Sequence, residues 1–198
     1  MTQDAQYRTE RRRAGFSLLE ALLAVSVGMI VATTAIPNMS NGIANVRLRS
    51  SMTSMSGVLQ NCRMLAVKSN RTMSTHFQAT SYGVMAFVKR ASDTGSLAVS
   101  DSQVQLQAPV SRLTSPTGAN APAALDSSTL GFTPQTGDPS FNTTGMPCAY
   151  SGGTCTNYGF VYYFTDTRWS GNNGWAAISI SPAGRIKRWF WNGSAWAD

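Results

Sequence analysis

The stretch Arg11-Arg12-Arg13-Ala14-Gly15-Phe16-Ser17-Leu18-Leu19-Glu20 decides how this chain is organised. It places three cations before a glycine and leads into an apolar run that continues to Ile36. As a helix, the run from Phe16 to Ile36 would be about 31 Å long, close to the thickness of a bilayer's hydrocarbon core. Because arginines favour the cytoplasmic side, the pattern predicts a membrane-spanning segment with its C-terminus outside.

Two simpler interpretations compete with this one. A secretory signal peptide needs a short apolar region followed by small residues at a cleavage site, for which Ala32, Thr34 and Ala35 are available. The run is long for such a signal, and it contains the acid Glu20. A plain membrane anchor does not explain Glu20 either, because a lone carboxylate in lipid costs at least about 2.5 kcal/mol. The acid therefore requires a partner.

Together with Pro37, the segment Gly15-Phe16-Ser17-Leu18-Leu19-Glu20 resembles the class III signal of type IV prepilins and type II secretion pseudopilins. The resemblance implies that a prepilin peptidase cleaves after Gly15 and that Phe16, the new N-terminal residue, is methylated. It also implies that Glu20 pairs with the N-terminal amine of a neighbouring subunit during filament assembly. Pro37 matches a proline that kinks pilin helices.

This resemblance divides the chain into four parts. Residues 1–15 are a leader that is removed, and residues 16–36 are the transmembrane and filament-core half of a helix. Residues 37–70 are its extracytoplasmic half, and residues 71–198 are a β-rich globular domain. The expected location is the inner membrane, as a single-pass protein with a periplasmic C-terminus, and after assembly a pilus or pseudopilus. The expected partners are the prepilin peptidase, other pilins or pseudopilins through the N-terminal helix, and the inner membrane.

The outer half of the predicted helix carries one apolar stripe. Its members recur at steps of four and three residues and are Leu48, Met52, Met55, Leu59 and Cys62. We expect the stripe to pack on the domain's own sheet, since the run is too short for the sustained heptads of a separate coiled coil. Cys62 lies on the stripe, so we expect a buried free thiol.

The rest of the chain reads mainly as strands and turns after a helix end at Asn70. Segments of strand-like composition are 72–78, 82–89, 104–108, 130–133, 158–166, 175–181 and 185–191. Residues 109–128 read as an irregular loop and residues 134–157 as a large surface region. The fold class that follows is α+β, a type IV pilin-like fold with a long N-terminal helix packed on a mostly antiparallel β-sheet.

Cysteines and titratable residues argue against catalysis and metal binding. Cys148 and Cys155 enclose a tight loop, so we expect a disulfide between them in an exported protein, while pairings with Cys62 stay open. The only histidine is His76, and no Cys-x-x-Cys spacing exists for zinc. The acids are scattered and no nucleophile–base pair is readable. We expect no metal, no cofactor and no enzymatic activity.

The last predicted strand combines cations with aromatic rings. Side chains alternate along a strand, so Arg185, Lys187, Trp189 and Trp191 share one face, and Ile186, Arg188 and Phe190 share the other. If Ile186 and Phe190 face the core, the first set faces outward, where cations can reach phosphates and rings can stack on bases. The alternative is that both tryptophans are packing residues.

This end of the chain resembles the FimT/GspH family of minor pilins and pseudopilins. Members of FimT type carry a Gly-Arg-x-Arg element near the C-terminus and capture DNA for natural transformation. Gly184 and Arg185 match that element, Lys187 replaces its second arginine, and Arg188 follows. The resemblance implies a minor type IV pilin that binds DNA during uptake through Arg185, Lys187, Arg188, Trp189 and Trp191. The alternative function is a GspH-like pseudopilin of a type II secretion system.

Overall fold

The computed structural model describes residues 17–93, 96–118, 121–166 and 174–198, and within these the side chains of residues 34–38 are not described. The chain forms two compact units, Met1–Met39 and Ser40–Asp198. Over the described residues, no helix is both long and apolar enough to cross a membrane.

Helix α1 (Leu18–Ser69) is the main helix of the protein. The predicted stripe from Leu48 to Cys62 is confirmed, because each of its five members is at most 1% exposed. The predicted end at Asn70 is also confirmed. Asn70 adopts a left-handed backbone with φ 51°, its N–H donates to the Val67 carbonyl, and the next N–H, of Arg71, donates to the Ala66 carbonyl. These two bonds form a Schellman-type cap.

In the described part of the chain, twelve strands form two sheets. The first sheet has the order β3 (Ser102–Gln105), β2 (Gly83–Arg90), β1 (Met73–Thr80), β6 (Ser140–Phe141), β7 (Pro147–Ser151) and β8 (Thr154–Asn157). The second has the order β12 (Trp196–Ala197), β11 (Ile186–Trp191), β10 (Trp175–Ile180), β9 (Gly159–Asp166) and β4 (Val110–Leu113). Among these described strands, β5 (Pro134–Gln135) alone pairs in parallel, with β9. The predicted α+β architecture, a long helix packed on a mostly antiparallel sheet, is confirmed.

The second sheet is covered on both faces. On one face, residues such as Phe160 and Ile178 pack with the α1 stripe in the main core. On the other face, a smaller cluster joins Val161, Tyr163 and Trp189 to Leu125, which lies on the connection after β4. This second layer explains why β9 is buried almost throughout, rather than on alternate residues.

The predicted strand over residues 130–133 is wrong. Helix α2 (Ser127–Leu130) ends at the first of these residues, and residues 131–133 form neither helix nor strand. The Asp126 carboxylate caps it by accepting from the Thr129 N–H at 2.8 Å, and Gly131 ends it with φ 75°. An acceptor before the helix and a glycine after it are ordinary helix signals, and here they override the strand propensity of a short apolar run.

The predicted loop over residues 109–128 is wrong in part, because it contains β4, which pairs with β9 from Val110 to Leu113. The surface region 134–157 likewise contains β5, β6, β7 and β8. These strands have two to five residues, which is too short for an alternating pattern to emerge from the sequence. In addition, β4 and β5 pair with β9, which is distant in the chain.

Candidate functional site

Helix α1 begins within the N-terminal motif. The Glu20 N–H donates to the Ser17 hydroxyl at 3.1 Å, so Ser17 acts as N-cap and Glu20 is the third helical residue, the pattern of a capping box. Glu20 is exposed and lies in the first turn, where the helix dipole favours an acid. Gly15 and Phe16 lie outside the described residues, as does the side chain of Pro37.

The first turns of α1 expose apolar side chains in every direction around the helix. More than half of the surface of Leu18, Leu19, Leu22, Leu23 and Ile30 is accessible, and Val25, Val27, Met29 and Val31 behave in the same way. A helix that is apolar on all sides is stable in water only when other apolar groups surround it. This segment therefore has the character of a surface that a membrane or other helices cover.

A tight turn positions the second candidate site, the β10–β11 hairpin. The Gly184 N–H donates to the Ser181 carbonyl at 2.8 Å, and the Ser181 N–H donates to the Arg185 carbonyl at 2.9 Å. Gly184 has φ 81°, a conformation that residues with a Cβ rarely adopt. The Arg63 guanidinium of α1 donates to the Gly184 carbonyl at 3.2 Å. The turn thus brings the exposed Arg185 to the same end of the domain as Arg63.

For Trp189 the outward-facing interpretation is wrong, and the alternative, that it is a packing residue, is confirmed. Trp189 is 6% exposed and belongs to the second core cluster. Its indole N–H donates to the buried Ser179 hydroxyl at 2.9 Å, and the Lys187 ammonium lies 3.9 Å from its ring centre. Leu125, from the connection after β4, contributes to the layer that covers this face of the sheet. Trp189 therefore has no free face on which a base could stack.

The other predicted residues on the Trp189 face of β11, Trp191 and Lys187, also contact other side chains of the protein. Trp191 is half-buried and packs edge-on against Trp196, with ring centres 5.5 Å apart. The Lys187 ammonium forms an ion pair with the Asp198 carboxylate at 2.8 Å. The hydrogen bond from Lys187 and its charge lower the pKa of the Asp198 carboxyl group. Lys187 is thus a cation with a carboxylate neighbour, not an unpaired one.

Arg188 projects from the face of β11 that is turned toward α1. Its guanidinium donates to the Thr53 hydroxyl at 3.0 Å. One turn earlier on α1, the Arg49 guanidinium lies 4.5 Å from the ring centre of Phe190. The structure therefore separates two of the predicted cations, since Arg188 lies with Arg49 between α1 and β11, whereas Arg185 lies with Arg63 at the turn.

The cysteine predictions are confirmed. Cys148 and Cys155 form a disulfide, with Cα atoms 5.4 Å apart, across the β7–β8 hairpin. Gly152 and Gly153 make its tight turn with φ values of 58° and 85°, a pair of signs typical of a type I′ turn. Cys62 is free and buried, and its burial raises the pKa of the thiol. A thiol of this kind is an inert packing group.

A polar cluster that no sequence pattern indicated joins the two sheets. Arg112 of β4 lies 4.2 Å from the ring centre of Phe77 in β1 and 4.7 Å from that of Tyr162 in β9. Its guanidinium also pairs with the Asp138 carboxylate at 2.7 Å. Burial raises the pKa of Asp138 more than Arg112 lowers it. Nearby, half-buried His76 of β1 packs on Phe87 of β2.

The part of the chain that the structure describes contains no group of three or more His, Cys, Asp or Glu side chains placed to hold a metal ion. Its two notable regions are the apolar start of α1, with Glu20, and the cationic surroundings of β11.

Comparison with known proteins supports the assignment of the N-terminal motif. Residues 11–36 match the family model of the prokaryotic N-terminal methylation motif. No curated protein matches the chain. Among solved structures, the chain is similar to the type IV minor pilin FimU of Pseudomonas aeruginosa strain PAO1 in two crystal forms. One match has 17% sequence identity and a TM-score of 0.45, and it covers 78% of this chain and 95% of that one. The other has 18% identity and a TM-score of 0.42, and it covers 76% and 97%. The chain therefore carries a prokaryotic N-terminal methylation motif, and the long helix that begins within this motif belongs to an α+β protein.

Proposed function

We propose that this chain is a minor type IV pilin of FimT/GspH type, a structural subunit without enzymatic activity. A prepilin peptidase would cleave it after Gly15 and methylate Phe16. The single observation that carries the proposal is the methylation motif at residues 11–36, which leads directly into a helix that starts at Leu18. The apolar surface of residues 18–33 supports it, because such a surface requires a covering partner.

Glu20 is the residue that we expect to direct assembly. Cleavage after Gly15 would create a positively charged amine on Phe16, and in a filament that amine on one subunit would meet the Glu20 carboxylate of another. Each charge is costly in an apolar medium, and pairing offsets the cost for both. Before assembly, the same segment would hold the subunit in the inner membrane, with the three arginines of the leader on the cytoplasmic side.

The test compares Glu20→Gln with Glu20→Asp in cells that express the full chain with its pilus machinery. Removing one partner of a desolvated pair costs about 2–5 kcal/mol, so Glu20→Gln should leave at least tenfold less of this chain in sheared filaments. Glu20→Asp keeps the charge and should retain part of the incorporation. The immunoblot must show equal amounts of each variant in the membrane fraction. Equal incorporation of wild type and Glu20→Gln would contradict the proposal.

DNA binding during uptake for natural transformation is a second candidate function. Its support is the exposed Arg185 beside Arg63 at the β10–β11 turn, with Lys187 and Arg188 following on β11. Because Trp189 is buried and Trp191 half-buried, we restrict this candidate to phosphate contacts, which are independent of sequence and sensitive to salt. In a gel shift of the full chain in detergent against duplex DNA, Arg185→Gln should weaken binding and flatten the salt dependence. Unchanged binding by that variant would count against a role for the turn.

A type II secretion pseudopilin is the alternative that shares this fold. Deleting the gene distinguishes the two functions, since loss of surface pili indicates a pilin and loss of exoprotein secretion indicates a pseudopilin. In both cases the N-terminal processing and the role of Glu20 stay the same.

A further inference from the structure

Strand β11 has an outer edge that the described chain covers only in part. On one side it pairs with β10 along its length, from Ile186 to Phe190. On the other side β12 reaches only Phe190 and Trp191. No described strand lies against the outer edge of the segment 186–189. An unpaired strand edge is a ready template for another extended chain.

Two hydrogen bonds show which backbone groups face that edge. The Arg185 carbonyl accepts from the Ser181 N–H, so the backbone groups of Arg185 point toward β10. The Asn192 N–H donates to the Ala195 carbonyl, so the backbone of Asn192 points toward β12. The direction alternates from residue to residue along an antiparallel strand. The N–H and C=O groups of odd-numbered residues in β11 therefore point toward β10, and those of even-numbered residues point toward the outer edge.

This alternation leaves the N–H and C=O groups of Ile186 and Arg188 directed at the outer edge, beyond the reach of β12. One additional strand could pair with these two N–H donors and two C=O acceptors, as it would with the edge of any sheet. The side chains of both residues lean toward α1, so the space beside the edge is bordered by a strand on one side and by the helix on the other.

A groove occupies that space. Its first cavity, of about 490 Å³, lies in line with β12 and is lined by Arg49, Ile186, Lys187, Arg188, Phe190, Ala197 and Asp198. A second cavity, of about 370 Å³, shares Ile186 and Arg188 and continues along α1 past Thr53, Ser56, Gly57 and Gln60. Between Arg49 and Gln60 the helix rises by about 16 Å, which is the length of about five residues of an extended strand.

The groove is positively charged. Arg49 and Arg188 approach it from the helix and from the strand, and Lys187 borders the same cavity. The one acid that lines it, Asp198, is already paired with Lys187. The two arginines have neutral neighbours, Phe190 and Thr53, and no carboxylate lies within salt-bridge distance of either in the described structure. Acidic side chains on an added strand would complement them.

We propose that the outer edge of β11 accepts an extended acidic segment of a different filament subunit as an added strand. The inference rests on the proposed function, because it identifies the partner as a neighbour in the filament. A second copy of this chain is a poor occupant, since the full chain has a net charge of +7, of which the leader holds +2, and each processed copy would keep +5. Duplex DNA is also a poor occupant, because phosphates only accept hydrogen bonds and would leave the carbonyls of Ile186 and Arg188 unpaired.

The test measures binding of a fluorescent acidic peptide, acetyl-Glu-Val-Glu-Val-Glu-Val-amide, to the full chain in detergent by fluorescence anisotropy. Ile186→Pro removes one outward N–H, keeps every cation and leaves the β10 ladder intact, as proline is tolerated on strand edges. It should weaken binding by roughly tenfold, while the matched Ile186→Val should bind like wild type. Arg49→Gln with Arg188→Gln should also weaken binding by roughly tenfold, whereas Arg185→Gln, outside the groove, should not. This charge variant keeps the test valid if Ile186→Pro fails to fold.

The result that overturns the proposal is equal binding of a peptide N-methylated at every amide, because charge alone would then explain the affinity. Binding of duplex DNA but not peptide, with loss in the Arg49→Gln and Arg188→Gln variant, would overturn it in favour of a phosphate site. Absence of peptide binding while filament incorporation still depends on Glu20 would overturn strand addition and leave the proposed function intact. If Glu20 proves irrelevant to incorporation, the proposed function fails separately.

Discussion

The two halves of helix α1 are both rich in apolar residues, yet their burial is opposite. Between Leu48 and Cys62, the apolar side chains form one stripe that is at most 1% exposed. Between Leu18 and Val31, the large apolar side chains are each more than half exposed. The outer half also carries polar side chains such as Arg49 between its stripe positions, whereas the first half is apolar on all sides.

This difference distinguishes apolar surfaces that the protein buries with its own residues from apolar surfaces that another molecule would have to bury. A single stripe matches the sheets of one domain, so its burial stabilises that domain. An apolar surface on all sides exceeds what one domain can cover, and it indicates an environment supplied from outside. The same distinction applies to β11, whose Trp189 face is closed by the second core cluster and whose outer edge is open.

The most severe test of the comparison introduces an acid into each half of α1. Leu59→Asp would bury an unpaired charge in the main core, which should cost more than about 5 kcal/mol and prevent folding of the domain. Leu22→Asp should leave the unfolding temperature of the domain unchanged and reduce the amount of chain in membranes and filaments. Thermal unfolding by circular dichroism in detergent, followed by fractionation, checks both. A folded Leu59→Asp variant would contradict the assignment of the stripe.

A smaller effect is expected from two tryptophans on the same face of β11 that differ in burial. Trp189→Ala removes a buried ring from the second cluster and should cost about 3–5 kcal/mol. Trp191→Ala removes a half-buried ring and should cost less than half as much. Denaturant unfolding of the full chain measures the difference. Equal costs for the two variants would mean that the second sheet is not closed on this face.

The smallest expected effect concerns Asp138, whose pKa is raised mainly by burial. The folded state then binds a proton more readily than the unfolded state, so wild type should gain stability relative to Asp138→Asn as pH falls from neutral toward 4. Each unit by which the folded-state pKa exceeds the unfolded one would add about 1.4 kcal/mol to this gain. Denaturant unfolding at several pH values checks the sign. A relative loss on acidification would show that the ion pair with Arg112 outweighs burial.

Sequence reasoning was most successful where a pattern is local. The steps of four and three from Leu48 to Cys62 specify a helix face, and Asn70 carries its own signal for a helix end. The hairpin of β10 and β11 follows from two alternating segments joined by the turn that ends in Gly184. In each case the interacting residues are close in the chain, so the local sequence is enough to predict the structure.

The failures concern pairings between distant residues. Alternation along β11 correctly separates Trp189 from Phe190, but it does not show that a layer including Leu125 covers the Trp189 face. The pairing of β4 with β9 crosses from Val110 to Asp166, and its sequence resembles a loop. Arg112 and Asp138 meet through the same long-range packing, which is why their ion pair left no signal in the sequence.

The measurement that tests the central claim most directly is the N-terminus of the mature chain. The full chain would be expressed with a prepilin peptidase, purified from membranes, and analysed by intact mass and N-terminal peptide sequencing. The account predicts a chain that begins at Phe16 and carries the mass of one added methyl group, with no processing in a Gly15→Leu variant. A mature chain that begins at Met1, or after the small residues near Ala35, would contradict it.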